Sequence, residues 1–319
     1  QTGSGALGLE GNNHSFDGSL SVSGTGISFK GQNQNYLDGL AISGALTIDS
    51  NSWGQSVFGN ITTTETFNLT GSAHLTVPVG KTLTLGAGMN WGASVISGGG
   101  DIVLPAGQTM RLTGSYKSLG TNFSNNGILD VRSDYLTFSD NINQLTGLVF
   151  NNAGSIVINN PANSQWYIDQ GNVFNNTGRV ENAGSGDVYF SSLGLVNANG
   201  ATYATTGTGA LQLSGSGGGP AATVYSGVTT FEGNNVEFQG SNTFADGFSS
   251  VGNFRINSGL SNYGNVNFGG RVDASFHNLT IDSGKTLTLG AGLNISGGAF
   301  TGPSTLVVPN GQTLLSNGT

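Results

Sequence analysis

The 319-residue chain contains no cysteine, and only 8% of its residues are charged, against about 25% in a typical protein. Without cysteine, disulfide frameworks, thiolate metal sites and cysteine nucleophiles are excluded. Lysine and arginine number 9 against 17 aspartates and glutamates, so nucleic acid is not expected as a partner, because it rewards clustered basic charge. No apolar run approaches the roughly 20 residues of a transmembrane helix, and we expect no membrane insertion.

Helix-favouring charged residues are scarce, whereas glycine supplies 55 of the 319 residues. This balance excludes a helical protein. Proline numbers only 6 and the glycines keep no three-residue period, which excludes collagen. The chain begins at Gln1 rather than at methionine, and we therefore expect a processed or trimmed product from which any signal segment has been removed.

The sequence repeats itself internally. Residues 75–110 align without a gap onto residues 279–314, and 18 of these 36 positions are identical. The nonapeptide GKTLTLGAG at Gly80–Gly88 recurs unchanged at Gly284–Gly292. We interpret the chain as one continuous, elongated structure with three segments. These are A (1–112), B, which is present once (113–209), and A′, which repeats A (210–319).

A shorter period, of about 22–27 residues, runs through the middle of the chain and suits one coil of a repeat protein. Five stretches carry an apolar residue four positions before a glycine, and four of them carry an asparagine two positions before it. This spacing is typical of a β-solenoid, in which each coil presents a strand at the same place and the coils stack. The glycines are Gly127, Gly154, Gly178, Gly200 and Gly264, and the asparagines are Asn125, Asn152, Asn176 and Asn262.

Apolar and mostly polar side chains alternate around each of these glycines, as they do along a strand with one buried face. The asparagines fall at equivalent corners, where we expect their amides to form a hydrogen-bonded ladder with a spacing of about 4.8 Å. The glycines are expected to supply the positive φ of a tight bend. The predicted fold is therefore all-β: an elongated, right-handed parallel β-helix (β-solenoid) with about 22–27 residues per coil.

The Phe-x-Asn-x-Gly-x-Ile/Val units and the two GKTLTLGAG blocks resemble the Gly/Asn/Thr-rich repeats of bacterial extracellular parallel β-helix proteins. Autotransporter passengers and filamentous-haemagglutinin-like adhesins are examples of this type. The resemblance is one of repeat style and covers most of the chain. It implies a secreted protein of the cell surface, with a role in adhesion, in fibres or in a biofilm matrix.

Two groups of residues are candidates for chemistry. Asp130, Arg132 and Asp134 alternate onto one strand face, and a secreted β-helix polysaccharide lyase or hydrolase would need such carboxylates for Ca²⁺ beside a basic residue. The alternative is a solvated strand face with ordinary ion pairs. Trp166 and Tyr167 offer rings that can stack on sugars, and on a strand at least one of them must point outward; the alternative is that they belong to the core.

Histidine offers no metal site, because His14, His74 and His277 have no metal-ligand spacing and are expected to be surface polar residues. We therefore predict a protein without catalysis, metal or cofactor.

The two ends of the chain suggest how it assembles. A β-solenoid exposes unpaired backbone groups at its terminal coils, and neither end of this sequence shows a polar or helical cap. We expect copies of the chain to stack head to tail into a filament that does not close. A monomeric adhesin stalk with a surface for polysaccharide, or a fragment of a longer adhesin, would have the same ends. The predicted function is thus extracellular, structural or adhesive.

Overall fold

The structure is a computed structural model. It describes residues 7–21, 26–50, 55–140, 144–169, 171–192, 195–215, 223–240, 242–257, 261–275, 279–297 and 300–316. All regular elements of the described residues are β-strands, so this part of the chain contains no helix that could span a membrane. The chain divides into two compact units, Gln1–Ile156 and Val157–Thr319.

The strands of the first unit are short and follow one another closely along the chain. They are β1 (Leu7–Glu10), β2 (Ser15–Phe16), β3 (Ser19–Ser21), β4 (Ile27–Lys30), β5 (Gln34–Tyr36), β6 (Ala41–Ser43), β7 (Leu46–Ser50), β8 (Gln55–Phe58), β9 (Ile61–Thr63), β10 (Phe67–Gly71), β11 (His74–Thr76), β12 (Thr82–Leu85), β13 (Met89–Trp91), β14 (Val95–Leu104), β15 (Thr109–Thr113), β16 (Tyr116–Asn125), β17 (Ile128–Arg132), β18 (Tyr135–Phe138) and β19 (Val149–Asn152).

The strand β20 (Ser155–Ile158) contains the boundary between the units. The second unit continues with β21 (Ser164–Ile168), β22 (Val173–Asn176), β23 (Arg179–Asn182), β24 (Val188–Ser192), β25 (Leu195–Asn199), β26 (Thr202–Thr205), β27 (Leu211–Gly215), β28 (Thr223–Ser226), β29 (Val228–Glu232), β30 (Val236–Gly240), β31 (Asn242–Phe244), β32 (Ser249–Val251), β33 (Phe254–Ile256), β34 (Ser261–Tyr263), β35 (Val266–Phe268), β36 (Val272–Ser275), β37 (Leu279–Ile281), β38 (Thr286–Leu289), β39 (Leu293–Ser296), β40 (Phe300–Thr301), β41 (Thr305–Val307) and β42 (Leu314–Ser316).

Parallel pairing between successive coils builds three faces in each unit. In the second unit each strand from β21 to β39 pairs in parallel with the strand three places later, as in the series β21, β24, β27, β30. The first unit follows the same rule, except that the ten-residue strands β14 and β16 bend across two faces. The predicted all-β parallel β-solenoid is confirmed, with about 13 turns in the chain.

Coil length varies more than the sequence indicates. In the second unit, Phe254 pairs with Val272 of the next coil, and Thr202 pairs with Thr230 of the next coil. The coil from Thr202 to Thr230 therefore contains many more residues than the coil from Phe254 to Val272. The paired strands keep their register while the connections between faces differ in length, which is where chain-length changes are best tolerated. The shortest coils are therefore shorter, and the longest coils longer, than the predicted 22–27 residues.

The interior of each unit is apolar and rich in aromatic rings, as the alternation of side chains predicts. In the first unit, the ring of Phe150 lies edge-on to those of Phe123 and Phe138, with centroids 4.9 and 5.7 Å apart. In the second unit, Phe238 packs edge-on against Phe254 at 5.3 Å. Such pairs contribute about 0.5–1.5 kcal/mol each beyond the burial of their surface.

Candidate functional site

A clasp of polar groups joins three successive coils of the first unit. Oδ1 of Asp38 accepts a hydrogen bond from the backbone N–H of Asn60 at 2.7 Å, and its Oδ2 accepts one from Nζ of Lys81. Oδ1 of Asn60 in turn accepts a hydrogen bond from the backbone N–H of Thr82 at 3.0 Å. Two side-chain acceptors thus hold three coils together, and we call this arrangement the first clasp.

The second unit contains the same clasp, built by the repeated residues. Asp246 accepts hydrogen bonds from the backbone N–H of Asn265 at 2.7 Å and from Nζ of Lys285. Oδ1 of Asn265 accepts one from the backbone N–H of Thr286 at 3.0 Å. Gly264 borders this second clasp, where an added Cβ would lie only 2.4 Å from Oδ1 of Asp246. The internal repeat therefore preserves a coil-to-coil connection and not only a pattern of strands.

The two clasp carboxyls share the same electrostatics. The hydrogen bond from the lysine, followed by that from the backbone amide, lowers the pKa of Asp38 and that of Asp246 below the ordinary value of an aspartate. Both carboxylates therefore keep their charge, and with it their lysine partners, at neutral and mildly acidic pH.

The asparagines of the shorter period lie at buried corners. Nδ2 of Asn125 donates a hydrogen bond to Oδ1 of Asn152 at 2.7 Å, one coil later in the first unit. Two of these asparagines also accept a hydrogen bond from the glycine of their own Asn-x-Gly turn: Oδ1 of Asn125 from Gly127 N–H and Oδ1 of Asn176 from Gly178 N–H, both at 3.2 Å. The side chain of Asn262 lies outside the described residues.

The glycines of these turns are required for a reason different from the predicted one. Gly127 and Gly154 do not have a positive φ; an added Cβ would lie 2.3 Å from the carbonyl oxygen of Gln108 at Gly127 and 2.1 Å from that of Gly127 at Gly154. Close approach of neighbouring coils, rather than a bend, excludes other side chains there. Gly200 does have the expected positive φ, at +68°.

The series of corner asparagines changes at Ala198, which pairs with Asn176. Tyr203 lies within the core, where burial raises the pKa of its phenol to about 12, an effect that the side chain of Asn176 partly opposes. Asn182 makes a further turn of the same kind: its Oδ1 accepts from Gly184 N–H at 3.0 Å. This turn was not among the predicted ones, although Asn182-Ala-Gly184 has the Asn-x-Gly spacing that would have shown it.

Trp166 and Tyr167 face opposite sides of β21. Trp166 is 2% exposed and stacks on Phe190 with ring centroids 5.6 Å apart, so its ring belongs to the core and is not available to a sugar. Tyr167 is half-buried and remains the candidate contact of the pair.

The charged face of β17 is an ion-pair cluster. Oδ2 of Asp130 accepts a hydrogen bond from Nε of Arg111 at 2.9 Å, and its Oδ1 accepts one from Nε of Arg132 at 3.2 Å. Both carboxylate oxygens thus face guanidinium groups, an arrangement that disfavours a calcium ion. No group of three or more His, Asp or Glu side chains that could hold a metal occurs in the part of the chain that the structure describes.

Two buried titratable side chains inside the first unit are features that sequence reasoning missed. His74 is 5% exposed, and its Nε2 lies 2.7 Å from Oγ of the buried Ser97, so the expectation of a surface histidine is wrong. Burial lowers the pKa of His74, an effect that the charge of Asp140 partly opposes. Lys117 is also buried; burial lowers its pKa to about 8, and its Nζ donates to its neighbour's carbonyl, that of Tyr116, at 3.2 Å. His14 is exposed, and His277 lies outside the described residues.

No protein-family model, no curated protein and no solved structure matches this chain significantly.

Proposed function

We propose that this chain is a non-catalytic structural or adhesive protein, secreted and located at the cell surface or in an extracellular matrix. The observation that carries the proposal is the pair of clasps, since the internal repeat builds the same coil-to-coil connection twice from Asp, Asn and Lys. Other polar side chains of the first unit serve the same purpose: Nδ2 of Asn90 donates to Oδ1 of Asn68 one coil earlier, at 2.8 Å. Side-chain hydrogen bonds that connect successive coils resist their separation, as a protein that bears mechanical load requires.

Head-to-tail self-association into a filament is the assembly that we propose for it. Within each unit, one coil offers the next the same rows of backbone N–H and C=O groups on three faces. A coil of a second chain can form hydrogen bonds with such rows of backbone groups in the same way. A contact between unlike surfaces that does not close produces an open fibre.

Two experiments test these statements separately. Single-molecule pulling of the full chain is expected to show a lower unfolding force for the double variant Asp38→Asn/Asp246→Asn than for the wild type. The exposed Asp17, replaced in the control Asp17→Asn, lies outside both clasps. Equal forces for all three proteins would contradict the load-bearing role.

Negative-stain electron microscopy of the purified chain over a range of concentrations tests the assembly. We expect filaments whose length grows with concentration; isolated particles at every concentration would contradict the filament. Cleavage of a polysaccharide by the purified chain would contradict the non-catalytic role.

A further inference from the structure

The internal repeat also builds a polar surface cleft twice. The first cleft has a volume of about 300 Å³ and is lined by Asn90, Gln108 and Thr109 among others. The second has a volume of about 270 Å³ and is lined by the repeat equivalents Asn294, Gln312 and Thr313. These volumes lie near the lower limit for small-molecule sites, which suits a ligand of the size of one sugar unit.

Each cleft lies between two stacked turns whose shape the repeated glycines determine. In the first cleft, the N–H of Gln108 donates to the carbonyl of Pro105 at 3.2 Å, around Gly107 at φ +78°. The neighbouring turn carries Gly88, where an added Cβ would lie 2.3 Å from the carbonyl oxygen of Thr109. The turn requirement explains these glycines, but it does not explain why the polar Gln and Thr side chains of the cleft are the same in both copies.

The second cleft has the same construction. The N–H of Gln312 donates to the carbonyl of Pro309 at 3.0 Å, and Gly311 has a φ of +81°. At Gly292 an added Cβ would lie 2.7 Å from the carbonyl oxygen of Thr313.

An arginine lines each cleft, and the two arginines are not repeat equivalents. Arg111 lies on the later coil of the first cleft, at a position matched by Leu315 in the repeat. Arg271 lines the second cleft from the coil that precedes its two turns. The two copies thus place a guanidinium beside the same amide and hydroxyl groups from different directions, which a purely structural repeat would not require.

Both guanidinium groups keep donors for a ligand. Arg111 is 46% exposed and bonds Asp130 through Nε, so its two terminal nitrogens have no partner among the described residues. Arg271 is 57% exposed and bonds Asp273 through Nε and one terminal nitrogen, which leaves the other without a partner in the described ranges. Terminal guanidinium nitrogens are well suited to bind a carboxylate.

We propose that each cleft binds one uronic-acid unit of an acidic polysaccharide. The arginine receives the carboxylate, and the Asn, Gln and Thr side chains pair with the ring hydroxyls. The inference deepens the adhesive part of the proposed function and rests on it. One cleft alone binds weakly, whereas a polymer that engages clefts of neighbouring copies gains by multivalency.

The test is isothermal titration calorimetry of the full chain with tetrasaccharides of galacturonate, glucuronate and mannuronate. The chain is expected to bind at least one of them, with an affinity that falls as salt is raised. The double variant Arg111→Gln/Arg271→Gln is expected to bind about tenfold more weakly, as for loss of a charge-assisted hydrogen bond at each cleft. Arg132→Gln is the matched control, because Arg132 also pairs with Asp130 and is 47% exposed but does not line the cleft.

Three results would overturn the inference: no binding of any of the three uronates by the folded chain, equal affinity for the methyl-esterified oligosaccharide, or an equal loss of affinity in Arg132→Gln. Circular dichroism verifies that the variants fold. Electron microscopy of the same preparations keeps the two questions apart, since a chain that forms filaments without binding uronates contradicts the clefts and leaves the structural role standing.

Discussion

Asn125 and Asn152 are joined side chain to side chain: Nδ2 of the first donates to Oδ1 of the second at 2.7 Å, across two successive coils. The same Nδ2 also donates to the carbonyl of Ser155 at 3.1 Å. Oδ1 of Asn125 accepts from the N–H of Gly127 in its own turn. Because Asn125 is fully buried, water cannot replace these bonds. One amide thus fixes both the corner of its own coil and the distance to the next.

Asn125→Ala is expected to lower the free energy of unfolding by about 2–4 kcal/mol, because it leaves several buried polar groups without a partner. Urea denaturation measures the difference. The neighbouring Asn126 is exposed, so Asn126→Ala serves as the control and is expected to cost less than about 0.5 kcal/mol. Similar losses for the two variants would show that the buried amide has no special role.

Gly154→Ala is expected to destabilise the chain by about 1–3 kcal/mol, since the new Cβ would lie 2.1 Å from the carbonyl oxygen of Gly127 and the coils would have to separate. Gly8 has open space around it and no positive φ, so Gly8→Ala should be neutral or stabilise by up to about 1 kcal/mol. The opposite signs can be read from urea midpoints. A neutral Gly154→Ala would mean that neighbouring coils are not held so closely.

The folded chain is expected to lose stability in mild acid because the buried His74 becomes protonated more readily when the chain unfolds. Burial lowers its pKa, so the folded chain favours the neutral ring, whereas the unfolded chain takes up a proton near the ordinary value of 6.5. The stabilisation is present above that value and is lost as the pH falls from 6.5 towards the lower folded pKa. Urea midpoints at pH 7.5, 6.5 and 5.5 should fall for the wild type and fall less for His74→Gln, which retains a group able to bond Ser97. Parallel curves would contradict this account.

Lys117 is expected to make the stability of the folded chain depend on pH in the alkaline range. Its folded pKa of about 8 lies below the ordinary 10.5, so the folded chain releases the proton first and stability rises with pH between these values. Below pH 8 both states are charged and the cost of burial is constant. Lys117→Met should therefore stabilise the chain at pH 7 by about 1–3 kcal/mol and flatten the rise between pH 8 and 10. The control is Lys30→Met, at an exposed position; a rise that persists in Lys117→Met would show that another group causes it.

The fold was accessible from the sequence because β-strand alternation and the Asn-x-Gly spacing are local signals that recur. The wrong expectations concern residues whose position depends on neighbouring coils. Gly154 looks like a bend glycine, yet its role is set by the carbonyl of another coil, and His74 looks like a surface residue until Ser97 is placed beside it.

The clasps illustrate the same limit. Asp38 and Lys81 are 43 residues apart, and only the coil register brings them together. A signal did exist, because the internal repeat contains both an Asp-Gly pair and a Gly-Lys-Thr segment in each copy. The clefts were missed for a similar reason: Arg111 and Arg271 do not align in the repeat, so sequence comparison alone does not associate them.

The variation in coil length has a practical consequence. A short coil, in which Phe254 pairs with Val272, and a long one, in which Thr202 pairs with Thr230, both occur in the second unit with their strand pairing intact. Coils of different length therefore keep the same pairing between faces. A foreign peptide or an affinity tag inserted in a connection between two strands is accordingly expected to leave the hydrogen-bonded pairing on either side intact.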